Sequence, residues 1–136
     1  MDEKLRELLY FIYREQASDL HIIPGSFAIM RKDGDLFPLT QFNLFTSDDS
    51  KVMLFSLLDD EKKAQLFKNK DIDFSFSLDE KIRYRVNIYL QVQGWAGAFR
   101  VIPNEIKSIS ELNLPPILDE FIERRQGFIL MTGPTG

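Results

Sequence analysis

From Ile72 to Val92 apolar and polar residues alternate with a period of two, which is the spacing of a strand covered on one face. Ile72-Asp73-Phe74-Ser75-Phe76-Ser77-Leu78 alternates strictly, and Asp79-Glu80 then turns the chain into its longest strand. On that strand Ile82, Tyr84, Val86, Ile88, Leu90 and Val92 share one face, while Arg83, Arg85, Asn87, Tyr89 and Gln91 share the other. A sheet built on this pattern needs apolar cover on one side only. Gly94-Trp95-Ala96-Gly97 reads as the next turn, leading into a return strand, Ala98 to Ile102, that Pro103 ends.

The flanking segments supply the cover. Leu5, Leu8, Leu9, Ile12 and Tyr13 recur at helical spacing, so residues 3–16 are expected to form an amphipathic helix. Ala17-Ser18-Asp19 breaks it and hands over to a short strand, Leu20 to Ile23, closed by Pro24-Gly25. Two more runs, Phe27 to Lys32 and Asp35 to Leu39, flank Asp33-Gly34, a strong hairpin signal because its turn needs positive φ at both centres. Ser47-Asp48-Asp49 has the composition of a helix start for Ser50 to Leu58, and Asp59-Asp60 does the same for Glu61 to Lys68. The expected class is α+β, a mainly antiparallel sheet with packed helices.

After Pro103 the composition shifts to prolines, polar residues and isolated Ile and Leu, the pattern of a linker over 103–114. Pro115-Pro116 suits the first turn of a helix with an apolar face of Ile117, Leu118, Phe121 and Ile122, and Gly127 is placed to cap its end. Phe128 to Thr132 then reads as a buried strand entering the turn Gly133-Pro134-Thr135-Gly136. The division is therefore 1–102, 103–114 and 115–136. No internal repeat or low-complexity tract is evident.

Twelve Phe and 44% hydrophobic content are enough for a substantial core. The net charge of −4 and pI near 5.0 argue against nonspecific nucleic-acid binding. Without cysteine there is no disulfide framework and no thiol chemistry, and a single His excludes a His-rich metal cluster. The amino terminus has no signal-peptide core, and nowhere do 18 apolar residues run together, so no membrane insertion and a cytoplasmic location are expected.

Chemistry points to the polar face of the long strand. Arg83 and Arg85 lie two apart, and Arg100 follows on the neighbouring strand, so three guanidiniums can converge on one patch. The guanidinium fork meets phosphate oxygens bidentately and stays charged, which suits charge stabilisation in phosphoryl transfer. The alternative is a solvated face neutralised by Asp79 and Glu80. His21 lacks companions for a metal site and reads as structural, Trp95 as a plug over the sheet edge, and the Asp48-Asp49 and Asp59-Asp60 pairs as helix starts rather than acid–base pairs. Gly133-Pro134-Thr135-Gly136 has the form of the opening half of a phosphate-binding loop, whose second Gly, Lys and Ser/Thr do not follow, so this chain is expected not to hydrolyse ATP.

Six ordered blocks carry a more specific resemblance: Ala17-Ser18-Asp19-Leu20-His21, Arg31-Lys32-Asp33-Gly34-Asp35-Leu36, Arg83-Tyr84-Arg85-Val86-Asn87, Gly97-Ala98-Phe99-Arg100-Val101-Ile102-Pro103, Leu112-Asn113-Leu114-Pro115-Pro116 and Leu130-Met131-Thr132-Gly133-Pro134-Thr135-Gly136. Their order and spacing resemble the secretion ATPase superfamily of type II secretion and type IV pili, most closely the twitching-motility retraction ATPases of PilT type. The resemblance implies a PAS-like domain over 1–102, a linker, and the first helix and strand of a RecA-like ATPase domain interrupted inside the Walker A loop. It implies a cytoplasmic homo-hexamer that uses ATP and Mg2+, sits at the inner membrane when assembled, and works with a pilus platform protein. Arg83, Arg85 and Arg100 would contact the nucleotide phosphates across the interdomain cleft, and Gly133, Pro134, Thr135 and Gly136 would form part of the Walker A loop. Alternatives within the superfamily are pilus assembly or type II secretion. Outside it, a free-standing PAS-like sensor or interaction module remains.

Overall fold

Asp2 starts the first helix, α1 (Glu3–Arg14), by accepting the Leu5 amide hydrogen on its side chain, and α1 buries Leu5, Leu8, Leu9 and Ile12 as a single stripe. The helix stops two residues short of the expected end at residue 16. Gln16 sits at φ 56, and that left-handed residue redirects the chain into β1 (Asp19–Ile22). The computed structural model describes residues 1–103 and 108–133, and the chain divides into two compact units, Met1–Asn104 and Glu105–Gly136.

In the first unit β1 is followed by β2 (Ile29–Lys32), β3 (Asp35–Pro38), α2 (Ser47–Phe55), α3 (Asp60–Asn69), β4 (Asp71–Ser77), β5 (Arg83–Gln91) and β6 (Gly94–Ile102). The six strands form an antiparallel sheet in the order β3-β2-β1-β6-β5-β4, a PAS-like arrangement in which the first and last strands meet in the middle. Asp33 and Gly34 take φ 53 and 91, as the hairpin between β2 and β3 requires. Helix α2 begins three residues before Ser50, because the cap is Thr46: its hydroxyl accepts the Asp49 amide while the Asp49 carboxylate accepts the Thr46 amide. Asp59 caps α3 in the expected way, accepting from the Lys62 amide.

The alternation seen in the sequence becomes the two faces of this sheet. Leu20, Phe99, Val86 and Phe74 form one row across β1, β6, β5 and β4, and they join the stripes of α1, α2 and α3 in one core. The buried Tyr84 hydroxyl donates to the Leu9 carbonyl at 2.7 Å, tying β5 to α1. Trp95 is buried in that core, its ring 5.6 Å from Phe55 and 6.0 Å from Phe67.

The turn expected at Gly94–Gly97 lies elsewhere. Gln91 pairs with Gly94, so Val92 and Gln93 make a two-residue turn and both glycines belong to β6. They serve packing: a Cβ on Gly97 would lie 2.4 Å from Leu54 Cδ2 of α2, and one on Gly94 2.4 Å from Ser47 Oγ. The bare backbone lets α2 lie close against β6.

In the second unit the chain turns through residues 109–113 and forms α4 (Ile117–Ile122), with Pro116 at its N-cap. The helix ends at Ile122 with Glu123 as its C-cap, so Gly127 lies beyond its end and does not cap it. The strand expected over Phe128 to Thr132 is not formed, and Phe128 is 86% exposed, with Ile129, Leu130 and Met131 also open to solvent. A strand apolar on both faces needs sheet neighbours on both sides, and none stands beside it among the described residues. Residues 104–107 of the expected linker, and Pro134, Thr135 and Gly136 of the loop, lie outside the described residues.

Candidate phosphate-binding face

The face of the sheet turned away from the helices carries the predicted arginines. Its register builds a row of Arg31, Asp19, Arg100, Arg85 and Ser75 across β2, β1, β6, β5 and β4. The next row along runs Ile29, His21, Ala98, Asn87 and Asp73. Arg85 and Arg100 are thus direct cross-strand neighbours, while Arg83 pairs with Ile102 one row further on. Between the rows lies a shallow depression of about 180 Å³ lined by Asp19, His21, Arg85, Asn87, Ala98 and Arg100, with the Phe99 backbone strand as its floor.

Like charges placed directly opposite each other are destabilising, and two carboxylates offset that here. Arg100 donates from Nε to Asp19 Oδ1 at 2.8 Å, and Arg85 donates from Nε and Nη2 to the two oxygens of Asp73 at 3.0 and 2.8 Å. Arg83 donates to Ser75 Oγ at 3.0 Å. Both acidic partners differ from those expected. Asp79 instead accepts the Lys81 and Ile82 amides in its own turn and the Tyr10 hydroxyl.

The sunken Asp19 is the electrostatic pivot. Burial works to raise its pKa, but hydrogen bonds from Arg100 and Ser18, together with the Arg100 charge, prevail and hold it below the ordinary carboxylate value. His21 is pushed the other way from a cation: its burial lowers the pKa, Asp19 draws it back in part, and Arg31 and Arg100 depress it further. Asp73 is held low by the hydrogen bonds from Arg85. A neutral imidazole, one amide and two exposed guanidiniums around a shallow basin can receive an anion with several oxygens.

Of the predicted site residues, the fold brings Arg85 and Arg100 together, sets Arg83 beside them, and leaves Gly133 in the other unit. His21, read from the sequence as structural, lines the basin with them. Asn87, Asp73 and Arg31 were not singled out as site residues. Asn87 and Asp73 share the polar parity of their strands, a signal present in the sequence, but their alignment depends on register. No group of three or more acidic or His side chains among the described residues is placed to hold a metal ion.

No protein-family model matches the sequence. The chain is 31% identical over 97% of its length to the type IV pilus retraction ATPase PilT of Pseudomonas aeruginosa, covering 38% of that protein. It also superposes on the crystal structure of the pilus retraction motor PilT with bound ADP, with a TM-score of 0.82 and 33% identity, covering 96% of this chain and 38% of that one. Over nearly its whole length the chain resembles the PilT-type secretion ATPases. A twitching motility protein of Neisseria gonorrhoeae is 38% identical over 62% of the chain, which covers 22% of that relative. The chain therefore spans well under half the length of the relatives it matches. Among the described residues no helix is long and apolar enough to cross a membrane.

Proposed function

We propose that this chain is the N-terminal part of a hexameric ATPase that powers type IV pilus retraction, with its sheet face supplying arginines to the nucleotide. In this reading residues 1–102 are the PAS-like domain, 103–114 the linker and 115–136 the start of a RecA-like domain to which Gly133, Pro134, Thr135 and Gly136 contribute the opening of the Walker A loop. The observation that carries the reading is the directly opposed Arg85–Arg100 pair on the uncovered face, in a fold shared with a retraction motor that holds ADP. Each guanidinium of the pair is held by a carboxylate yet stays well exposed, which leaves room for an anion with several oxygens.

Asp19 and Asp73, the acids beside Arg100 and Arg85, are already engaged with those arginines, so the basin suits phosphate oxygens and not the magnesium that accompanies ATP. Arg83, Arg85 and Arg100 act by neutralising charge on the phosphates; no covalent role is assigned to them. The motor works in the cytoplasm, peripheral to the inner membrane, against a pilus platform protein.

In the full-length protein Arg85→Ala and Arg100→Ala are expected to lower ATP turnover on the order of 10²-fold while circular dichroism stays unchanged. Wild-type turnover in both variants removes the arginines from the mechanism. Deleting the gene should leave cells piliated but unable to retract, whereas bald cells would assign the motor to pilus assembly.

A further inference from the structure

Arg85 and Arg100 are held by two different kinds of carboxylate. The Asp19 side chain is only 10% exposed and receives Ser18 Oγ at 2.8 Å and Arg100 Nε at 2.8 Å, with Arg31 Nε at 3.7 Å. Its hold uses Nε and leaves the Arg100 side chain 70% exposed. Asp73 is 43% exposed, and it occupies both Nε and Nη2 of Arg85, the two-pronged edge with which a guanidinium grips phosphate. An anion entering the basin meets Arg100 already presented. At Arg85 it must compete.

Resting on the reading of this face as a phosphate site, we propose that Asp73 is a displaceable stand-in for phosphate on Arg85 and sets the affinity of the face, whereas Asp19 is a positioning residue that keeps its hold on Arg100 throughout. Exposed ion pairs are weak and exchange readily with a multiply charged competitor. Separating Asp19 from Arg100 would instead strand a sunken charge. The exchange leaves Asp73 free to solvent and moves no bond other than hydrogen bonds.

The test is a titration of the 136-residue chain with inorganic tripolyphosphate at low ionic strength, read by calorimetry and by the NMR signals of the arginine Nε–H groups. The Arg85 Nε–H signal is expected to move in step with saturation while that of Arg100 holds its position. Asp73→Asn should tighten binding by about two- to five-fold, the strength of the exposed pair it removes. Asp71→Asn, which deletes an equal charge from the same face of β4, should tighten it less. Equal effects of the two substitutions, or an unmoved Arg85 signal at saturation, overturn the exchange. They leave the phosphate reading in place if Arg85→Ala still weakens binding. Absence of saturable binding by the wild-type chain also overturns the exchange, and the phosphate reading is then decided by turnover of the full-length arginine variants.

Discussion

His21 reports on the charges around it more directly than any other side chain of the face. Asp19 raises its proton affinity, Arg31 and Arg100 lower it, and partial burial lowers it most. An NMR titration should therefore place the His21 midpoint below 6.5, and Asp19→Asn should lower it further. Because the folded-state pKa lies below the unfolded one, the unfolded chain binds the proton more readily, and stability falls as pH drops from about 6.5 toward the folded value. Asp19 has a depressed pKa, so its own contribution is present above the unfolded carboxylate value and is lost as pH falls through the folded one. The arginines were legible in the sequence because parity alone puts Arg83 and Arg85 on one face. Their carboxylate partners were not, since a partner depends on the alignment of one strand against another.

The alignment of the two arginines with each other is decided by a turn of two residues. A four-residue turn over Gly94–Gly97 would set Arg100 opposite Gln91, six positions along β5 from its actual partner, whereas the turn at Val92-Gln93 sets it opposite Arg85. Val and Gln carry none of the marks of a tight turn, and the nearby glycines are needed for a different purpose. Gly97→Ala should destabilise the fold by about 1–3 kcal/mol in urea unfolding, since its methyl meets Leu54 of α2. Trimming that neighbour in the double variant Gly97→Ala/Leu54→Ala should give a non-additive cost, smaller than the sum of the two singles. At the start of α2, Thr46→Ala should cost about 1 kcal/mol, because it removes one half of a reciprocal cap. Most elements were readable from periodicity and caps. The strand at Phe128–Thr132 was not realised, because its stability resides in neighbours rather than in its own residues.

At the scale of the molecule the first unit has its own core, drawn from residues between Leu5 and Phe99, and all its sheet pairings are internal. A piece spanning residues 1–104 is therefore expected to fold alone and unfold in one cooperative thermal transition by circular dichroism. A broad, non-cooperative melt would show that the core needs more than this unit. The central pairing of β1 with β6 also fixes when the arginine basin can exist. Asp19 and Arg100 are 81 positions apart, so a chain emerging from the ribosome carries half of the basin long before it carries the rest. The basin thus has a built-in birth order: no partially synthesised PAS-like domain can present these arginines together, and the basin closes only as the last strand slides in beside the first.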